Sequence, residues 1–164
     1  MVRAKPGTGD KYFKAHVLFY HTKNIEPIIR GGFIDSECIP VLRALNKFPG
    51  IFPFESCSGH GKKYVGNFRI FFASKDTRNL DIIRKCVATA PANGNWKVRY
   101  DGRFQNWMPG GEPDPRTGKH IYRKHSWTGK WAYTLDSWDT PVGKPAYEDA
   151  NRIAVCLNRH LRGR

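Results

Sequence analysis

A short polar turn between two apolar segments carries residue types that bind phosphate. It reads Ser-Cys-Ser-Gly-His-Gly-Lys-Lys over residues 56–63. Backbone N–H groups of a glycine-containing turn bind anions, and nearby hydroxyl and ammonium groups strengthen that binding. The spacing differs from that of a P-loop. We predict phosphate contacts from Ser56, Ser58, Gly59, Gly61, Lys62, Lys63, Arg69 and Arg123.

This turn and a later segment hold residues that could perform chemistry on a bound phosphate ester. Cys57 would be a nucleophile if a nearby histidine or lysine lowered its pKa, whereas a buried structural cysteine is the alternative. Histidines can act as general acid and base on a phosphodiester. The two His-x-Ser/Thr elements of a two-histidine phosphodiesterase are not both present. The candidate catalytic residues are His60, His120, His125 and Cys57.

A second stretch, residues 97–131, interleaves cations with aromatic rings. It holds eight Lys or Arg residues against three Asp or Glu residues. Rings among cations are typical of proteins that stack nucleic-acid bases and contact the phosphates. Trp107 and Trp127 fall at expected loop tips, so we predict that they stack on bases. Trp96, Trp131 and Tyr133 are predicted to lie in the core.

The overall charge favours the same kind of partner. The chain of 164 residues has 28 Lys and Arg against 14 Asp and Glu, which gives a net charge of +14. A strongly basic domain attracts polyanions, and nucleic-acid binders commonly have such a charge. We therefore expect a nucleotide, which could be a cyclic or signalling nucleotide, or RNA. An enzyme acting on that ligand is the alternative.

The cysteine spacing and the N-terminal sequence predict the redox state of the cysteines and the cellular compartment. Cys38, Cys57, Cys86 and Cys156 lack the close spacing of a zinc knuckle, and no His-x-x-x-His motif is present. We expect reduced cysteines, no metal and no other cofactor. No signal-like apolar segment begins the chain, which favours a cytoplasmic protein without a membrane partner. Homo-oligomer formation stays open.

The elements that must position these residues alternate between strands and helices. Hydrophobic periodicity and the turn residues predict one domain over 12–164, after a flexible basic segment over 1–11. The predicted fold is α+β, a mixed sheet with helices packed on it. Strands are predicted at 12–20, 51–55, 67–73 and 96–100, and a hairpin at 120–135. A helical turn is predicted at 25–30, and helices at 35–48, 76–90 and 145–161.

Residues 35 to about 90 resemble the core of the tRNA wybutosine-synthesis methyltransferase family. The likeness rests on Ser56-Cys57-Ser58-Gly59 and on the helix before this turn. Glu55 stands where the family tends to have Ser, and His60 where it has Arg. The resemblance implies a related α/β fold with a nucleotide or RNA ligand, and adds a tRNA-modifying transferase to the alternatives.

Overall fold

The computed structural model describes residues 15, 18–19, 21–59, 66–103, 108–109, 116, 122–123, 127 and 129–163. Its helices are α1 (Glu26–Arg30), α2 (Ile39–Lys47), α3 (Thr77–Thr89) and α4 (Lys144–Arg162), with a 3-10 turn over Ser36–Cys38. Its strands are β1 (Ile51–Cys57), β2 (Arg69–Ser74), β3 (Lys97–Arg103), β4 (Met108–Pro109), β5 (Tyr122–Arg123) and β6 (Trp131–Asp136). This architecture is α+β, as the sequence predicts.

The main sheet has the order β1-β2-β6-β3, and all neighbouring strands are antiparallel, so the sheet is antiparallel where the sequence predicts a mixed one. The short strands β4 and β5 pair separately. Because β6 pairs with β2 on one side and β3 on the other, it cannot also pair with the segment over 120–126. The predicted hairpin is therefore wrong, since Tyr122–Arg123 pairs with Met108–Pro109 instead.

The helices α2, α3 and α4 pack on one face of the main sheet. Each buries the apolar stripe that its sequence predicts, as Leu42, Ile83 and Leu157 illustrate. The Asp76 carboxylate accepts a hydrogen bond from the Asn79 N–H at 2.9 Å and so caps α3 as predicted. Sheet residues such as Ile70 and Leu135 complete this core.

The N-terminal segment is helical where it is described, so the predicted strand over 12–20 is wrong. Ala15, Leu18 and Phe19 have helical backbone. Ala15 and Phe19, four residues apart, are buried, whereas Leu18 between them is exposed. This is a helical spacing, and an alternating pattern over so short a segment does not distinguish it from a strand.

Two cysteines form a disulfide, which corrects the expectation that all four are reduced. Cys86 of α3 and Cys156 of α4 are bonded, with their Cα atoms 5.7 Å apart. Cys38 and Cys57 are free. Cys38 is fully buried, and burial raises the pKa of its thiol far above the usual value, with a smaller contribution from Asp35.

Other core predictions fare unevenly. Trp96 and Tyr133 are buried as predicted, whereas Trp131, at the start of β6, is 37% exposed.

Within the described part of the chain, no helix combines the length and apolarity that crossing a membrane requires.

Candidate phosphate-binding face of the sheet

The side of the main sheet opposite α2, α3 and α4 carries two rows of mainly polar side chains. Paired residues of neighbouring strands point to the same side of a sheet, and successive residues alternate between sides. The strand register places the following residues side by side across the four strands. We call the two rows together the open face: the first row is Cys57, Arg69, Asp136 and Lys97, and the second is Glu55, Phe71, Thr134 and Arg99.

Asp136 is the centre of the first row. Its side chain is only 2% exposed and lies 3.1 Å from Arg99 Nη2 and 3.6 Å from Arg69 Nε. Its Oδ1 accepts hydrogen bonds from Asn67 Nδ2 at 3.0 Å and from the Trp138 N–H at 2.9 Å. A buried carboxylate needs such partners. Asp136 therefore keeps the guanidinium groups of Arg69 and Arg99 close to each other.

The two guanidinium groups keep hydrogen-bonding capacity for a ligand. The side chains of Arg69 and Arg99 are each 43% exposed. The Arg69 Nε atom is buried and has no hydrogen-bond partner among the described residues, because Asp136 lies beyond hydrogen-bond distance from it. Each guanidinium has five N–H donors, so one carboxylate leaves several available.

Further groups on the open face suit a nucleotide. Lys97 is exposed, and its Nζ lies 4.1 Å from the centre of the Trp138 ring. The half-buried ring of Phe71 lies in the second row, 6.2 Å from the ring of Phe54. An aromatic ring near cations on a sheet face is a platform for base stacking. Glu55 is exposed on the edge strand, and the Asp101 carboxylate accepts a hydrogen bond from the Thr134 hydroxyl, so two further carboxylates lie beside the cations of this face.

In the described part of the predicted anion-binding turn, two backbone N–H groups already have acceptors within the protein. The Ser58 N–H donates to Asp35 Oδ2 at 2.9 Å, and the Gly59 N–H donates to Cys57 Sγ at 3.4 Å. Ser58 and Gly59 are both buried. The Ser58 N–H, which the sequence predicts to bind phosphate, therefore already donates to Asp35. The guanidinium groups of Arg69 and Arg99 on the open face are more accessible than this N–H.

Gly59 has a structural reason to be glycine. Its φ is +86°, a conformation that other residues rarely adopt, and a Cβ atom there would collide with the Gly66 carbonyl oxygen. The turn after β1 therefore passes close to the segment before β2. Cys57 lies at the start of this turn, beside Arg69 in the strand register, and is half-buried.

Several predicted site residues lie outside the described residues. These are His60, Gly61, Lys62, Lys63, Trp107, His120 and His125, and the Arg123 side chain is likewise not described although its backbone forms part of β5.

Trp127 is buried, although the sequence predicts that it stacks on bases. It is only 5% exposed, and its ring stacks on Phe52 at 5.2 Å between centroids. Lys75 Nζ lies 4.2 Å from the ring centre. The ring is therefore part of the packed structure, where a large aromatic side chain buries much apolar area.

Lys23 has an unusual environment beside this tryptophan. Its Nζ donates to the Phe48 carbonyl oxygen at 3.1 Å and lies 5.9 Å from the centre of the Trp127 ring. Burial, with a smaller contribution from Lys75, lowers the pKa of Lys23 from 10.5 to about 8. Between these two pH values the unfolded chain binds more protons at Lys23 than the folded chain does, so stability rises with pH.

We expect Lys23→Met to remove this rise. Relative to the variant, the wild-type protein should gain roughly 1 kcal/mol of unfolding free energy as the pH increases from 8 to 10.5, a value reduced for solvent screening. Urea unfolding across this pH range measures the difference. Lys47→Met, at an exposed lysine of α2, is the matched control and should follow the wild-type pH dependence. A constant difference between wild type and Lys23→Met would contradict the prediction.

Comparisons with protein-family models, curated proteins and solved structures find no match to this chain. The resemblance to wybutosine-synthesis methyltransferases stays a prediction.

Proposed function

We propose that the protein binds a nucleotide or single-stranded RNA on the open face of its sheet. The observation that carries this proposal is the pair of half-exposed guanidinium groups held side by side by the buried carboxylate of Asp136. Arginine presents donors in a planar fork that matches the geometry of phosphate oxygens. Because Asp136 accepts a hydrogen bond from Arg99 and lies 3.6 Å from Arg69 Nε, the two side chains are partly ordered before a ligand binds, which reduces the side-chain entropy lost on binding.

The surrounding charge supports an anionic ligand. Arg69 and Lys97 flank Asp136 in the first row, and Arg99 lies in the second row. Three cations therefore surround this buried carboxylate. The net charge of +14 adds a long-range attraction for polyanions. Phe71 supplies a ring on which a base can stack in the row next to these cations.

The direct test is a titration of fluorescently labelled single-stranded RNA with the protein, followed by anisotropy at several salt concentrations. If three cations contact phosphates, the logarithm of the affinity should fall with the logarithm of salt concentration with a slope of about −2. A panel of mononucleotides and cyclic nucleotides, used as competitors, distinguishes a nucleotide site from an RNA surface. An affinity independent of salt, or the absence of binding, would contradict the proposal.

Phe71→Leu tests whether the open face recognises bases as well as phosphates. Stacking on an aromatic side chain contributes roughly 1–3 kcal/mol per base, so we expect RNA affinity to fall about 10-fold. Binding of inorganic polyphosphate, which has no bases, should be unchanged. Tyr100→Leu is the matched control, because Tyr100 is 59% exposed on the helix side of the sheet. Equal losses for RNA and polyphosphate would show that Phe71 does not stack.

The alternative function is an enzyme acting on the same ligand, either a histidine-dependent phosphodiesterase or a tRNA-modifying transferase. Among the described residues, Cys57 is the predicted catalytic residue that reaches the open face, directly beside Arg69. Incubation of the nucleotide panel and RNA with the protein, followed by chromatography of the products, distinguishes turnover from binding. Binding without product formation supports the primary proposal.

A further inference from the structure

Cys86, Cys156 and His160 form a cluster between the C-terminal halves of α3 and α4. One potential metal-ligating atom from each residue lies within 4.8 Å of the other two. Cys156 and His160 are four residues apart on α4 and therefore point to the same side of that helix. Cys86 approaches them from α3. This cluster lies on helices, whereas the open face lies on the opposite side of the sheet.

A cleft between α3 and α4 reaches one member of the cluster, Cys156, from solvent. It has a volume of about 460 Å³ and its lining includes Cys156, Asn151 and Arg159 of α4 and Thr89 of α3. Cys86 is fully buried, whereas Cys156 and His160 are half-buried. An ion bound by the three side chains would therefore have protein on the Cys86 side and the cleft on the Cys156 side.

We propose that the reduced protein binds a zinc-class divalent ion through Cys86 Sγ, Cys156 Sγ and one imidazole nitrogen of His160. Two thiolates and an imidazole are preferred zinc ligands, at about 2.3 Å for sulfur and 2.0–2.1 Å for nitrogen. The three ligand atoms already lie within 4.8 Å of one another, so small side-chain rotations can bring each of them to these distances from one ion. The fourth tetrahedral position would face the cleft, which makes the site open to water or a small ligand.

The disulfide and the metal site exclude each other, because both use the same two sulfur atoms. Reduction by a phosphine adds two electrons and two protons to the disulfide, and the phosphine is oxidised to its oxide with oxygen from water. Binding of the divalent ion then displaces the two thiol protons.

The sequence predicts no metal site because it contains neither closely spaced cysteine pairs nor a His-x-x-x-His motif. The Cys156-x-x-x-His160 spacing has the same helical geometry as that motif. The third residue, Cys86, is 70 positions from Cys156, so only the packing of α3 against α4 identifies it.

The test is a cobalt titration of the full chain after anaerobic reduction with a phosphine. We expect a thiolate-to-cobalt charge-transfer band, intense visible bands of a tetrahedral ion, and displacement of cobalt by added zinc. Native mass spectrometry should find one zinc ion per reduced chain and none after reoxidation. Folded, reduced protein that binds no cobalt would overturn the proposal.

His160→Gln keeps both cysteines and their disulfide, so folding should be preserved. Loss of a ligand should weaken zinc binding by at least about 10-fold, since loss of even an outer-shell partner has that effect. His21→Gln is the matched control at an exposed histidine outside the cluster and should bind zinc as the wild type does. Unchanged affinity in His160→Gln, or loss of binding in His21→Gln, would contradict the assignment.

Discussion

Asp149→Ala is expected to lower the free energy of unfolding by about 4 kcal/mol, because several hydrogen-bond donors converge on this carboxylate. Asp149 is fully buried in α4. Its oxygens accept hydrogen bonds from the Ala92 N–H at 2.8 Å, the Asn93 N–H at 3.1 Å and Trp96 Nε1 at 3.2 Å. Arg152 Nη1 donates to it at 2.9 Å. Alanine would leave these donors without their acceptor.

These contacts connect α4 to the loop between α3 and β3. The loss should therefore loosen the start of β3, an edge strand that carries Lys97 and Arg99. Chemical denaturation and thermal melting measure the effect, and a loss of this size should lower the melting temperature by roughly 10 °C.

Asp81→Ala is the matched control for this measurement. The Asp81 side chain is 72% exposed and pairs with Arg84 at 3.7 Å, so its removal should change stability by less than about 1 kcal/mol. Asp149→Asn keeps the size and one acceptor oxygen and should lose less than the alanine variant. If Asp149→Ala were no less stable than Asp81→Ala, the hydrogen bonds to Asp149 would not hold the loop as described.

Local signals predicted the helices well. Helix α3 was predicted from Asp76 or Thr77 to the proline at position 91, and it spans Thr77–Thr89 with Asp76 as its cap. Helix α4 was predicted over 145–161 and spans Lys144–Arg162. In both helices the apolar residues recur every three or four positions, and glycine or proline residues border the pattern. These signals act over a few residues and are therefore readable in the chain.

The arrangement of strands could not be read in the same way. β6 lies between β2 and β3, and these partners come from positions about 60 and 30 residues earlier in the chain. A hairpin was predicted because its two segments are adjacent in sequence. The long-range pairing prevailed because it places Leu135 and Tyr133 in the core, with Asp136 beneath the arginines.

The candidate site was only partly predictable, because it too depends on contacts between segments far apart in the sequence. The turn after β1 was recognised from its composition, but the contact of Ser58 with Asp35, 23 residues earlier, was not. Arg69 was predicted to contact phosphate. Arg99 and Asp136 were not singled out, because their role depends on a register that joins three strands. The one available signal was the alternation of polar and apolar residues in β2 and β3.

The double variant Arg69→Gln/Arg99→Gln is expected to weaken binding of single-stranded RNA about 100-fold at moderate salt. A hydrogen bond to a charged group contributes roughly 1.5–3 kcal/mol, so two such contacts account for this loss. The salt dependence should also become shallower, with the slope of log affinity against log salt reduced by about 1.4. Anisotropy titrations at several salt concentrations measure both quantities.

Arg78→Gln/Arg84→Gln is the matched control, because both arginines are exposed on α3, on the opposite side of the sheet, and the change in net charge is the same. The control should keep most of the affinity. If both double variants lost affinity equally, net charge alone would explain binding, and the open face would not be the site.

Lys97→Gln separates loss of the site from loss of folding. Removing both arginines leaves Asp136 with only Asn67 and the Trp138 N–H as partners, so the double variant should also lose stability. Lys97 makes no ion pair with Asp136, and its replacement leaves that carboxylate with its arginines. A fall in RNA affinity of several-fold in Lys97→Gln, with unchanged melting temperature, would place the ligand on the open face independently of the stability of the arginine variants.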